Sequence, residues 1–84
     1  MLGTRVDADK LGNLPLSDGD YGLDGEGTWY AKPPGFKVGY ANLSKHAVIE
    51  HDDKTITVSP SIRVTNHTAS WHGFLERGVW RDAN

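Results

Sequence analysis

Two β-branched runs flank an acidic turn in the stretch His46-Ala47-Val48-Ile49-Glu50-His51-Asp52-Asp53-Lys54-Thr55-Ile56-Thr57-Val58-Ser59. Val, Ile and Thr favour extended backbone, whereas Asp-rich segments favour turns. The stretch therefore predicts a β-hairpin whose arms are its first five and last five residues. In the second arm Ile56 and Val58 fall on one side, alternating with hydroxyl residues, as in a strand with one buried face.

Short extended segments separated by turns continue on both sides of this hairpin. Residues 28–31 form a β-prone run, and the further predicted strands are 36–40, 62–64, 70–75 and 79–80. Glu76-Arg77-Gly78 predicts a tight turn in which the glycine takes a positive φ. About six short strands without a helical period predict a mostly β fold, a small antiparallel sandwich, roll or partly open barrel.

The first 27 residues differ in composition from the rest of the chain. They hold six of the ten glycines and many of the acidic residues, and their few apolar residues follow no clear period. Such a composition favours irregular backbone. The sequence thus predicts a Gly/Asp-rich, partly flexible N-terminal arm over 1–27, a compact β domain over 28–81 and a polar tail over 82–84.

Composition excludes several classes of function. The 84 residues carry a net charge of −2, and the nine basic residues are scattered, which argues against a nucleic-acid footprint. No apolar run approaches the ~20 residues that a membrane span needs. The chain lacks cysteine, which fits a reducing compartment, and Met1–Arg5 lacks the apolar core of a signal peptide. We therefore expect a cytoplasmic protein that binds neither nucleic acid nor membrane.

Four histidines and three carboxylates raise the question of a metal site. They are His46, His51, His67 and His72, with Glu50, Asp52 and Asp53. A catalytic zinc needs three protein ligands, yet residues five apart on a strand face opposite sides. A solvated hairpin tip explains these residues more simply, so no metal and no cofactor is predicted.

A second candidate site follows from Trp71-His72-Gly73-Phe74. Neighbouring residues on a strand point to opposite sides, so His72 faces away from the core if Trp71 enters it, and Phe74 lies on the His72 side. A histidine beside a half-exposed aromatic predicts a binding groove around Trp71, Gly73 and Phe74, with the glycine leaving room for a substrate. The alternative is that the aromatic residues simply form the core.

A third candidate is the hydroxyl of Ser61, which follows Ser59-Pro60. A serine nucleophile needs a base within hydrogen-bond reach, and His72 is the better candidate because its strand can pair with the segment after Ser61. An ordinary strand end followed by a turn would have the same composition.

These motifs together resemble a known family. Pro60-Ser61-Ile62, then His72 in the strand Trp71-His72-Gly73-Phe74, then Gly78 and Trp80, are similar to the pattern of small bacterial and phage domains of unknown function. The family pattern often has an aromatic residue directly after the histidine, where this chain has Gly73. Some members are encoded beside ubiquitin-like conjugation genes and are thought to be serine peptidases. The likeness covers about residues 28–80.

The resemblance implies that Ser61 is the nucleophile and His72 the base. It assigns no third triad member, for which Glu50, Asp52 and Asp53 are candidates. We therefore expect a serine hydrolase acting on a peptide or ester bond of another protein, in the cytoplasm of a bacterial host cell. This hypothesis predicts that the two side chains approach within about 3–4 Å.

The alternative is a non-catalytic phage accessory module that binds a host or virion protein or associates with itself. It predicts an exposed apolar patch or a dimer seam around Phe74 and Trp80. The sequence does not determine the oligomeric state.

Overall fold

The structure is a computed structural model that describes residues 1–7, 17–36 and 39–83. Within these ranges the chain forms nine short strands and no helix. The strands are β1 (Thr4–Arg5), β2 (Asp20–Leu23), β3 (Trp29–Ala31), β4 (Ala41–Asn42), β5 (Ala47–Glu50), β6 (Ile56–Ser59), β7 (Ile62–Thr65), β8 (Ser70–Glu76) and β9 (Val79–Asp82). The predicted mostly β fold is confirmed, with more strands than the sequence indicated.

The described strands form three sheets. Their orders are β1-β2-β3-β4, β5-β6 and β7-β8-β9. Only the β1–β2 pair is parallel among these, and none of the three sheets closes into a barrel. No helix in the described ranges has the length and apolar character needed to cross a membrane.

The predicted hairpin is present as β5 and β6. Val48 lies opposite Val58, and Lys54 closes the turn with a φ of 76°. Ile56 and Val58 are buried, as their alternation predicted. Burying a Val or Ile side chain contributes about 1.5–3 kcal/mol, which holds this hairpin against the rest of the core.

The β7-β8-β9 sheet also follows the predicted segments. Its tight turn places Gly78 at a φ of 77°, as expected, with Arg77 also in the left-handed region at 47°. Ile62, Leu75 and Trp80 point to one side and are buried, which gives this sheet an inner face against the core.

The first sheet takes two strands from the segment that the sequence predicts to be an arm. Tyr21 in β2 is only 2% exposed and belongs to the core, and the backbone N–H of Val6 donates to its carbonyl at 2.8 Å. The compact part of the molecule therefore begins before residue 28, because β2 pairs directly with β3 and β1 pairs with β2. Residues 8–16 of the predicted arm lie outside the described residues.

The predicted strand over 36–40 has no counterpart at that place in the described structure. Lys37 and Val38 lie outside the described residues, and Gly39 and Tyr40 precede strand β4 at Ala41. Gly39 has a φ of 96°, which breaks the extended conformation that the alternating pattern predicted.

Candidate functional site

Ser61 and His72 meet on the β7-β8-β9 sheet. Ser61 immediately precedes β7, and the register pairs Ile62 with Gly73 and Arg63 with His72. Cross-strand partners point to the same side, and so do residues two apart, which brings Ser61, Arg63 and His72 together. Ser61 Oγ lies 2.8 Å from His72 Nε2. The approach expected from the sequence is present, while the catalytic roles of the two residues stay a prediction.

The side of this sheet that faces away from the core is called the outer face. It carries Ser61, Arg63, His72, Phe74, Glu76, Val79 and Arg81. The Phe74 ring lies 6.3 Å from the His72 ring, on the side that the sequence predicts, and the Arg81 guanidinium lies 4.6 Å from its centre. Arg81 also pairs with Glu76 at 2.5 Å. The aromatic ring is thus covered by a cation that already has a carboxylate partner.

Trp71 and Gly73 point to the inner side. The Trp71 ring meets Trp80 edge-on, with centroids 5.4 Å apart and planes at 81°. A Cβ atom on Gly73 would lie 2.3 Å from the Arg81 carbonyl oxygen and 2.4 Å from the Trp71 ring. The missing side chain therefore leaves room for Trp71, and not for a substrate as the sequence suggested.

The second ring nitrogen of His72 faces a cation. Arg63 Nη2 lies 3.5 Å from His72 Nδ1. A guanidinium can only donate hydrogen bonds, so this neighbour favours the tautomer with a lone pair on Nδ1 and the proton on Nε2. In that tautomer His72 donates to Ser61 Oγ. A catalytic triad uses the opposite arrangement, with Nδ1–H donated to a carboxylate and Nε2 accepting from serine.

The structure does not bring the three candidate carboxylates to His72. Glu50 pairs with Arg5 at 2.5 Å, and Asp53 accepts from Thr55 N at 3.0 Å and Thr55 Oγ1 at 2.6 Å. These hydrogen bonds from Thr55 hold the pKa of Asp53 below its usual value. Asp52 lies at the same hairpin tip, where all three line a separate cleft with His51 and Arg77.

A cleft of about 420 Å³ opens beside His72. It is lined by Arg63, Thr65, Ser70, Trp71, His72 and Asp82. Sequence reasoning missed Arg63 because a charged residue on a strand usually marks only a solvated face. Its position two residues after Ser61 was the available signal, since that spacing places both side chains on one side.

The other histidines make local contacts. His46 Nε2 lies 3.3 Å from the Ser61 carbonyl oxygen, and His51 Nε2 lies 2.7 Å from Thr57 Oγ1. Within the described ranges no group of three or more His, Asp or Glu side chains is arranged to hold a metal ion.

Comparisons with protein-family models, with curated proteins and with solved structures found no match to this chain.

Proposed function

We propose that this protein is a serine hydrolase that cleaves an ester or peptide bond, with another protein as its substrate. The observation that supports this most directly is the 2.8 Å contact between Ser61 Oγ and His72 Nε2 at the edge of a cleft. A serine hydroxyl and an imidazole at this distance are the minimum that nucleophilic catalysis by serine requires. The resemblance to small phage and mobile-element domains supports a place in the cytoplasm of a bacterial host cell.

In this mechanism His72 Nε2 accepts the hydroxyl proton while Ser61 Oγ attacks the carbonyl carbon. The imidazolium then gives the proton to the leaving alcohol or amine, which departs and leaves an acyl-serine. Water, deprotonated by the same nitrogen, cleaves the acyl-serine and restores the hydroxyl. Since no described carboxylate orients His72, we expect turnover to be slow. In a Ser-His-Asp triad, replacing the aspartate lowers kcat by about 10⁴-fold.

Labelling with a fluorophosphonate probe, read by intact-mass spectrometry, tests this function. The wild-type protein should take up one probe on Ser61, and Ser61→Ala should take up none. Ser59→Ala is the matched control, because Ser59 is an exposed serine two residues away on the other side of Pro60. Because the probe carries no carboxylate and His72 lacks a carboxylate partner among the described residues, labelling should be slow. Failure of the wild type to label even on prolonged incubation, or labelling that persists in Ser61→Ala, would remove the hydrolase hypothesis.

A specific observation favours a second candidate, a non-catalytic protein-binding or self-associating module. Leu2 and Val79 are 74% and 45% exposed and pair across an antiparallel bridge. They form an apolar patch at the edge of the outer face. Trp80 is buried, so the patch does not lie around Phe74 and Trp80, where the sequence placed it.

The molar mass in solution tests self-association through this patch. Light scattering across a concentration series should show a mass that rises above that of the monomer. Val79→Lys should return the mass to that of the monomer, whereas Ile49→Lys, at an exposed site on β5, should not. A wild-type protein that stays monomeric at high concentration would exclude the self-associating form of this candidate.

A further inference from the structure

Arg63 is a cation without a carboxylate partner among the described residues. The ion pairs there join Arg5 to Asp7 and Glu50, Lys32 to Asp18, and Arg81 to Glu76. The Arg63 side chain instead contacts His72 Nδ1 at 3.5 Å. Its side chain is exposed and lines both the cleft beside His72 and a second cleft of about 470 Å³ next to Tyr40 and Asn42.

We propose that Arg63 binds a carboxylate of the substrate and that this carboxylate completes the catalytic site at His72 Nδ1. The inference rests on the proposed hydrolase function and names its substrate class. That class is acyl compounds with a carboxylate close to the scissile carbonyl, such as a peptide with an acidic residue or a free C-terminus beside the bond.

The chemistry follows from the positions of the two side chains. A guanidinium binds a carboxylate through two parallel hydrogen bonds. Because Arg63 Nη2 is 3.5 Å from His72 Nδ1, a carboxylate held there lies within reach of that ring nitrogen. The carboxylate accepts a hydrogen bond from Nδ1–H, so the imidazole proton moves from Nε2 to Nδ1.

This change of tautomer turns His72 into a base toward Ser61. Nε2 then presents a lone pair to the hydroxyl 2.8 Å away, as the proposed mechanism requires. The same carboxylate offsets the repulsion between the Arg63 guanidinium and the imidazolium that forms during attack. The substrate thus supplies the third group that Glu50, Asp52 and Asp53 do not provide.

Charge around the cleft favours a single carboxylate over a more highly charged anion. Asp82 lines the same cleft and is not ion-paired with Arg63. Its negative charge repels a dianion such as phosphate more strongly than a monoanion. Arg81 on the outer face already pairs with Glu76, so Arg63 is the cation of this face that is open to a ligand.

The first test measures the tautomer of His72 directly and does not depend on turnover. Nitrogen-15 NMR of the imidazole is recorded while acetate, and separately phosphate at equal concentration, is added. Acetate should move the Nε2 resonance toward the unprotonated value in the wild type and in Arg77→Gln, but not in Arg63→Gln. Arg77 is the matched control because it is an exposed arginine in the β8–β9 turn.

Equal shifts in wild type and Arg63→Gln would overturn the proposal, as would the absence of any shift in the wild type. A larger effect of phosphate than of acetate would overturn the assignment to a carboxylate.

The second test compares 4-acetoxybenzoate with its methyl ester, each corrected for spontaneous hydrolysis. We expect wild-type kcat/KM to be at least about tenfold higher for the carboxylate, the discrimination that one charge-assisted hydrogen bond provides. Arg63→Gln should lower that ratio to about one while Ser61 remains open to the fluorophosphonate probe. If wild type and Arg63→Gln have the same kcat/KM ratio for the two substrates and Ser61 is still labelled, the proposed role of Arg63 is wrong and the hydrolase function stands. If acetate changes the His72 tautomer through Arg63 but Ser61 is not labelled, the carboxylate site stands and the hydrolase function is wrong.

Discussion

The indole N–H of Trp80 donates a hydrogen bond to the carbonyl oxygen of Gly19 at 2.8 Å, in the interior of the protein. This contact ties the last strand to the residue before β2, which lies 61 positions earlier in the sequence. It holds the Gly19 backbone against the core, to which the neighbouring Tyr21 belongs.

Trp80→Phe should lower the free energy of unfolding by about 2–4 kcal/mol. The variant removes the indole donor and leaves the Gly19 carbonyl with the 3.2 Å hydrogen bond from the Thr4 N–H, a loss of about 0.5–1.5 kcal/mol. The remainder comes from the smaller ring, which packs less well against Trp71. Urea denaturation measures the change. Trp29→Phe is the control, since this half-buried indole donates no hydrogen bond to any other described residue and its replacement should cost less. Equal losses in the two variants would contradict the prediction.

Gly22→Ala should destabilise the fold by about 3 kcal/mol or more, because overpacking a filled site forces the backbone to move. A Cβ atom at Gly22 would lie 1.7 Å from the Val6 carbonyl oxygen. Gly27→Ala provides the comparison. Gly27 has open space around it but a φ of 88°, so the alanine there should cost only about 1–2 kcal/mol. If Gly22→Ala proves the milder of the two, the close packing of residues 1–7 on β2 is wrong.

The Ser61–His72 hydrogen bond should be visible as a coupling energy even without any activity. A double-mutant cycle of Ser61→Ala and His72→Ala should give about 0.5–1.5 kcal/mol, the usual net value of one such bond. Ser61→Ala combined with Arg77→Gln should instead be additive within about 0.5 kcal/mol. Additivity in the first cycle would show that the contact does not persist in solution.

Asp7 should make the stability of the fold depend on pH. Burial works to raise the pKa of this carboxyl, but hydrogen bonds from the Arg5 side chain and the Leu23 N–H outweigh it, and the pKa lies below its usual value. A lowered folded-state pKa adds stability above the unfolded value of about 3.9, and that stability is lost as the pH falls through the folded value.

Asp7→Asn should therefore lower the melting temperature at pH 7 and have a smaller effect near pH 2. Thermal unfolding at several pH values gives the comparison. A difference between wild type and variant that stays constant on acidification would exclude this role for the ionised carboxylate.

Much of the second half of the fold is predictable from sequence because its strands carry their own signal. Ile56 and Val58 alternate with hydroxyl residues, and Gly78 marks the turn that follows β8. β1, β2 and β4 contain only two to four residues each, and β2 includes Asp20 and Gly22. These strands are extended because they hydrogen-bond to neighbouring strands. The alternation of apolar and polar residues within one segment does not predict such pairing.

The Ser61–His72 contact was predictable for a related reason. Once the segment after Ser61 pairs with the strand of His72, the antiparallel register leaves few alternatives. The group that faces His72 Nδ1 was not predictable in this way. The candidate carboxylates Glu50, Asp52 and Asp53 lie on the β5–β6 hairpin beside His51, and the sequence does not show how far that hairpin is from His72. Arg63 takes that place through the same register that positions His72.

The edge-on Trp71–Trp80 pair gives the protein a built-in optical reporter. Two indoles 5.4 Å apart at 81° couple their electronic transitions, so the native protein should show an excitonic couplet in far-ultraviolet circular dichroism. Trp71 is the direct neighbour of His72 on β8, which means that the couplet follows the strand that holds the site. Loss of the couplet in a variant would show that the packing of β8 against β9 is disrupted, so that a loss of activity in that variant could not be assigned to the substituted side chain alone.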